Sequence, residues 1–251
     1  MTAIEKTRRV GLARALSKLG YCSRSQAMEL IRAGRVTLNG TTRRDPESPV
    51  HLEHDRIEVN RQSVRAESKI YLMLNKPRGV VTTASDEKGR ESVYSFLSSE
   101  YPWVAPVGRL DKASEGLLLL TNDSEWAARI SDPQTHLEKT YHVQVGAAVD
   151  ECFLGAMIKG IRTANGEILR AKRAAVLRSG AQNTWLEIIL DEGKNRHIRR
   201  MMEAAGTGVL RLVRVAVGPL ILGKLAKGDC RALARDEKRA LDRAMFLRAG
   251  P

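Results

Sequence analysis

Residues 108–123 read GRLDKASEGLLLLTND. A polar stretch led by Gly108 runs directly into Gly116-Leu117-Leu118-Leu119-Leu120-Thr121, an unbroken apolar run that closes on Asn122-Asp123. A short apolar run bounded by turn formers fits a strand buried on both faces. Asp123 or Ser124 can then cap a short helix over Trp126 to Ile130. Asp111 lies in the loop before the strand, with Arg109 two residues earlier and Lys112 directly after it, so its carboxylate is expected to stay ionised. An ionised carboxylate in a cleft can be a nucleophile, a base or a metal ligand. Most loop aspartates form turns, and the segment alone leaves all of these open.

Further strands are expected around this one. Ile70 to Leu74 reads as a strand, Asn75-Lys76-Pro77-Arg78-Gly79 as a turn, and Val80 to Thr83 as the strand resumed. Thr140 to Val145 alternates, with Tyr141, Val143 and Val145 on one face. Thr184 to Leu190 and Val209 to Val217 are two more strands. Asp150 caps a helix through Leu154 and Met157, and a final helix runs from Glu237 to Leu247. Near Arg196 to Ala205, Ile198, Met201, Met202 and Ala205 form an apolar helical stripe, and Arg196, Arg199, Arg200 and Glu203 lie opposite. Strands with few helices between them predict an α+β domain on a mixed, largely antiparallel sheet with flanking helices, over residues 69–240.

A smaller helical and β module is expected before it, over residues 8–66. Leu12, Ala15, Leu16 and Leu19 fall at helical spacing and stop at Gly20. Ser23 caps a second helix carrying Ala27, Leu30 and Ile31, which Gly34 ends. Arg35 to Leu38 is a short strand closing in an Asn39-Gly40 turn, and Arg56 to Asn60 is another. Arg61 to Lys69 reads as a linker.

Composition narrows the class. Lys and Arg number 42 against 29 Asp and Glu, and the net charge of +13 favours a polyanionic partner. Aromatic residues are only 4%, which argues against a platform of many stacked rings. Trp126 and Trp185 read as core. The three cysteines, Cys22, Cys152 and Cys230, are widely spaced and suggest neither a disulfide framework nor a zinc ribbon. His51 and His54 have no ligand motif around them, so no metal is expected. Apolar stretches are too short to span a bilayer, and Met1 to Arg9 lack the apolar core of a secretory signal. A cytoplasmic protein without membrane contact is the expectation, working as a monomer.

Two resemblances sharpen this. The first helix, Gly20, Ser23-Arg24, Ala27, Ile31, Gly34, Val36, Leu38-Asn39-Gly40 and Asp55-Arg56-Ile57 resemble the alpha-L RNA-binding domain named after a small-subunit ribosomal protein. The resemblance implies that Arg14, Arg24 and Arg35, with Lys18 and Arg32, face a phosphate backbone. Gly108 to Asp123 resembles the signature of the RsuA family of ribosomal RNA pseudouridine synthases. Glu138-Lys139-Thr140-Tyr141-His142-Val143 is similar to that family's lysine-x-tyrosine strand and Glu192 to Met201 to its arginine-rich motif, and Asn75 to Gly79 is a fourth match near the start of the catalytic domain.

That resemblance implies an enzyme needing no cofactor or metal. It detaches a uracil from its ribose, turns it and rejoins it through carbon, after flipping the nucleotide from its helix. Asp111 matches the catalytic aspartate, Tyr141 the aromatic that stacks on the flipped base, and Arg199 the basic residue paired with the carboxylate. Arg109 matches the arginine that fills the vacated space. Arg196, Arg200 and Lys76 are expected RNA contacts, and the partner is ribosomal RNA or a pre-ribosomal particle. His197, Lys194 and Ser124 depart from the commonest residues of the family, which bears on the target rather than on Asp111. Two other readings compete: a non-catalytic RNA-binding protein, and a hydrolase in which Glu115 is a second carboxylate.

Overall fold

The leucine run forms a strand whose seven residues, Glu115–Thr121, are all buried. It is described in a computed structural model that covers residues 9–84, 88–180 and 182–246. The chain divides into two compact units: residues 1–70 with 98–105 and 121–124, and residues 71–97 with 106–120 and 125–251.

In the first unit, α1 (Leu12–Lys18) and α2 (Arg24–Arg32) pack on β1 (Val36–Leu38) and β3 (Ile57–Val59), and the exposed β2 (Thr41–Arg43) pairs with β1. The Ser23 side chain accepts from the Gln26 N–H while Gln26 accepts from the Ser23 N–H, a reciprocal cap that fixes where α2 begins. Asn39 and Gly40 both take positive φ, 51° and 79°, which closes β1 onto β2 in a tight turn. Leu12, Leu16, Ala27, Ile31, Val36 and Val59 are fully or almost fully buried between helices and strands.

The second unit is built on a mixed sheet. Its strands are β4 (Tyr71–Lys76), β5 (Glu115–Thr121), β6 (Lys139–Val145), β7 (Arg173–Ser179), β8 (Thr184–Leu190), β9 (Val209–Val217) and β10 (Cys230–Ala232). They lie in the order β7-β8-β6-β9-β5-β4-β10. The pairs β7–β8, β8–β6, β6–β9 and β4–β10 are antiparallel, and β9–β5 is parallel. Helices α4 (Glu151–Lys159) and α5 (His197–Ala204) contribute Leu154, Met157, Ile198, Met201 and Met202 to a core with Val143, Leu186 and Leu212. Helices α3 (Ser124–Ser131) and α6 (Arg235–Phe246) contribute Trp126, Ile130, Leu241 and Met245 to a second core with Leu117 and Leu119. The α+β class with a mixed, largely antiparallel sheet and flanking helices is therefore the observed one.

Local differences from the sequence reading have physical causes. Asn75 and Lys76, expected in a turn, continue β4. The Asn75 N–H donates to Asp229 and its side-chain amide to Leu225, so polar residues are satisfied inside the strand. Val80 to Thr83 does not resume a strand; Val81 makes a single bridge to Ser92. The edge strand β7 had no sequence signal, because six of its seven residues are exposed and no apolar alternation marks it. Leu247, the expected end of the last helix, lies outside the described residues.

Gly116 holds the parallel pairing of β9 and β5. It stands opposite Arg214 with φ +100°, and a Cβ there would lie 2.3 Å from the Arg214 carbonyl oxygen. Replacing Gly116 by Ala should therefore cost roughly 2–5 kcal/mol through combined strain and overlap. Gly155→Ala in α4, where a Cβ meets open space, should stabilise by up to about 1 kcal/mol. Urea midpoints moving in opposite directions are the expected result; equal midpoints would contradict the packing at Gly116.

Candidate active site

The loop from Leu110 to Ser114 gives all of its backbone carbonyls to protein donors. Leu110 C=O accepts from the Thr82 hydroxyl at 2.8 Å, and Lys112 C=O from the Gly79 N–H at 2.7 Å. Ala113 C=O accepts from Arg199 Nη2 at 2.9 Å. Asp111 C=O accepts from the Ser114 N–H at 2.9 Å and lies 3.3 Å from Lys76 Nζ. Lys76 Nζ also donates to Ser114 C=O and Pro77 C=O, each at 2.9 Å. A loop satisfied this fully has little freedom to rearrange, which leaves its side chains with a fixed aim.

The Asp111 carboxylate is 32% exposed and lines a cavity of about 410 Å³. Arg109, Tyr141, Lys139, Arg196 and Arg214 line it as well. Arg196 Nη1 stands 3.7 Å from Asp111 Oδ2. Arg196 is the residue before α5 and has φ 48°, a left-handed conformation that costs a non-glycine residue energy and commonly marks a functional site. Burial lowers the Lys139 ammonium below its ordinary value, helped by the nearby Arg214 guanidinium and opposed by Asp191. Burial likewise lowers Arg199, reinforced by Arg196 and opposed by the Asp111 carboxylate. The wall thus mixes apolar side chains with charged groups that are mostly cationic, the Asp111 carboxylate set among them, and suits an anionic ligand such as a nucleotide.

Comparison with known proteins now decides the family. Residues 70–204 match the family model for RNA pseudouridylate synthase, and residues 10–57 match the S4 domain. This chain belongs to the RNA pseudouridine synthase family. Among its relatives, "Ribosomal large subunit pseudouridine synthase B" of Bacillus subtilis (strain 168) is 37% identical over 92% of this chain and 94% of that protein. An uncharacterized RNA pseudouridine synthase of Aquifex aeolicus (strain VF5) is 37% identical over 96% of this chain and 97% of its own length. A crystal structure of a pseudouridylate synthase, 30% identical, covers 92% of this chain and 99% of that one with a TM-score of 0.66. The RsuA-type resemblance and the assignment as an RNA pseudouridine synthase hold at that level.

Within this pseudouridine synthase, the residues singled out from sequence fall into three groups. Asp111, Tyr141, Arg109 and Arg196 meet in the cavity. Arg199 stands near it but donates to the Ala113 and Val209 carbonyls, not to the carboxylate; the guanidinium within ion-pair reach of Asp111 is that of Arg196. Lys76 is a correction. It was expected to touch RNA, yet it has no exposed surface, because Pro77 turns the chain and draws Nζ under the Asp111 loop. Arg200, also expected to touch RNA, is partly exposed, and its guanidinium is engaged by the Glu167 carboxylate, which Arg200 holds below its usual range. Arg14, Arg24 and Arg35 are exposed in the other unit, and Arg35 Nε donates to Asn60 Oδ1 at 2.8 Å.

Glu115 is not a second carboxylate of the cavity. Its side chain is 3% exposed and accepts from Arg211 at 2.8 and 3.0 Å and from Lys227 at 2.7 Å. Burial raises this carboxyl, but the hydrogen bonds from Arg211 and Lys227 outweigh it and hold it below the usual range. The hydrolase alternative loses its candidate. Sequence reading missed Lys139 and Arg214 as wall residues; alternation along a strand marks which residues share a face, not which face meets a cavity. Among the described residues no group of His, Cys, Asp and Glu could hold a metal ion, and no helix is long and apolar enough to cross a membrane.

The buried ammonium of Lys76 sets a pH dependence. Burial pulls it down to about 8, against the attraction of Asp111 and Glu115. Between that value and the ordinary 10.5 the unfolded chain holds a proton that the folded chain lacks, so this group makes stability rise with pH there. The stability difference between wild type and Lys76→Met should grow in favour of wild type by up to about 3 kcal/mol between pH 7.5 and pH 10.5. A difference that stays flat, or shrinks, over that window in urea titrations would contradict the buried charge.

Proposed function

We propose that this enzyme isomerises one specific uridine of ribosomal RNA, with the Asp111 carboxylate as the nucleophile that acts on it. The observation that carries the reading is that carboxylate, fixed by its loop and reaching into a cavity of nucleoside size beside Tyr141, where most of the other charged groups are cations. A uridine stacked in a helix cannot enter such a cavity, so the target nucleotide must be flipped out. Tyr141 then stacks on the uracil ring and the exposed Arg109 fills the space it leaves. Arg196 faces the carboxylate, while Arg199 holds the loop by its backbone. The reaction exchanges a carbon–nitrogen glycosidic bond for a carbon–carbon one within the same nucleotide. It neither adds nor removes atoms overall, so it needs no co-reactant.

The ribosomal target is supported by the large-subunit name of the Bacillus subtilis relative and by the S4 match in front of the catalytic part. In this reading residues 8–66 form the RNA-binding domain and Arg14, Arg24 and Arg35 meet phosphates. Residues 69–240 carry the catalysis. The enzyme works as a monomer in the cytoplasm, on ribosomal RNA or an assembling ribosomal particle.

Asp111→Asn keeps the size but removes the charge and replaces one acceptor oxygen by an amide donor. It should lower pseudouridine formation on ribosomal RNA fragments by about 10⁴-fold or more and leave RNA affinity within about threefold. Wild-type turnover by the Asn variant would end the assignment.

A further inference from the structure

We propose that the open face of the sheet around Trp185 is a second RNA contact, where an unpaired nucleotide stacks on the indole and its phosphate meets Arg178. Trp185 was expected in the core. The structure leaves it half-buried on the face of β8 turned away from Leu186 and Ile188, which pack into the core with α4 and α5. A row of register partners crosses four strands there: Arg178 on β7, Trp185 on β8, Gln144 on β6 and Arg211 on β9. The guanidinium carbons of Arg178 and Arg211 lie 5.2 and 5.8 Å from the indole ring centre. Arg178, Trp185 and Arg211, with His142, Leu177 and Val213, line an open groove of about 400 Å³.

This groove is separate from the catalytic cavity. Alternate residues of β6 serve the two: Tyr141 lines the cavity and His142 the groove. The two guanidinium groups differ in their freedom. Arg211 is locked onto the buried Glu115 carboxylate, which also takes Lys227, so it forms a fixed edge to the indole. Arg178 is exposed and, among the described residues, has the indole as its neighbour and no carboxylate.

The chemistry favours single-stranded RNA as the occupant. A tryptophan between arginines offers a base a flat surface and its phosphate a cation, the combination that binds unpaired nucleotides without regard to sequence. The net charge of +13 draws the same class of ligand. Gln144, His142 and Glu187 share the face with Trp185, so it offers one flat ring set among polar and charged groups rather than a continuous apolar patch. The groove also adjoins the catalytic loop. Strand β5 begins at Glu115, opposite Val213 of the groove, and the Glu115 carboxylate, directly after the loop residue Ser114, accepts from Arg211 of the groove at 2.8 and 3.0 Å. RNA leaving the cavity over this loop would meet Arg211 and then Trp185.

The inference rests on RNA being the substrate, and it can fail independently of the Asp111 assignment if it is tested with RNA that holds no uridine. The probes are a fluorescein-labelled single-stranded oligoadenylate and an RNA duplex of equal length, bound to the full chain at two salt concentrations. Trp185→Ala should weaken oligoadenylate binding roughly 5- to 100-fold, and Trp185→Tyr should restore it to within about threefold of wild type. Arg178→Ala should lower the slope of log affinity against log salt by about 0.7. Duplex affinity should change far less than oligoadenylate affinity. Unchanged oligoadenylate binding in Arg178→Ala and Trp185→Ala would overturn the proposal. So would equal losses on the duplex, or a wild-type dimer in sedimentation that Arg178→Ala dissociates, since a second copy would then occupy the face.

Discussion

The ammonium of Lys76, sealed beneath the Asp111 loop, is the contact on which the site depends. It meets the carbonyl oxygens of Pro77, Asp111 and Ser114 and thereby joins the end of β4 to the loop that enters β5. Burying a charge is costly unless it is paired or well hydrogen-bonded. Here three carbonyls and the fields of Asp111 and Glu115 offset that cost in part, and the depressed ammonium pKa measures what is left. The result is a loop with its carbonyls turned into protein and one carboxylate turned into the cavity. Arg199 adds a second anchor from α5, at Ala113.

Around that anchor the charges divide their work. Arg196 faces the carboxylate from a left-handed backbone position, a conformation held against its local cost of about 1–3 kcal/mol. Arg200, next to Arg199 in sequence, turns to Glu167 instead. Arg199 and Arg200 are successive on α5 and point about 100° apart, while Arg196 lies before the helix in a left-handed position, so three arginines within five residues reach three different partners. Glu115 begins the buried strand with its carboxylate on the face of β5 that Arg211 and Lys227 cover, so one strand start serves both the catalytic loop and the Trp185 face.

Much of this was legible in the sequence. The leucine run, the Ser23 and Asp150 caps and the Asn39-Gly40 turn are local signals, and each names its element because the cause lies within a few residues. Motif order brought Asp111 and Tyr141 to one site, but with Arg199 as the expected partner of the carboxylate and Arg196 only as an RNA contact. Tertiary direction was not legible. A lysine before a proline in a polar pentapeptide looks like surface, and only the fold shows that Lys76 is covered and that its amine has three carbonyls waiting. The edge strand β7 and the exposure of Trp185 escaped for the same reason, since a half-covered sheet face and a core face can share one apolar pattern. The pairing of Arg196 rather than Arg199 with the carboxylate turns on a single left-handed residue, which spacing does not encode.

The most direct test of this account separates holding the loop from holding RNA. In Lys76→Met, the turnover number for pseudouridine formation and the dissociation constant for the same RNA should be measured side by side. If Lys76 fixes the carboxylate, turnover falls by about 100-fold or more while the dissociation constant stays put, because small misplacement of a reacting group is enough to lose that much. Weakened RNA binding with turnover intact would make Lys76 a phosphate contact after all and contradict the account.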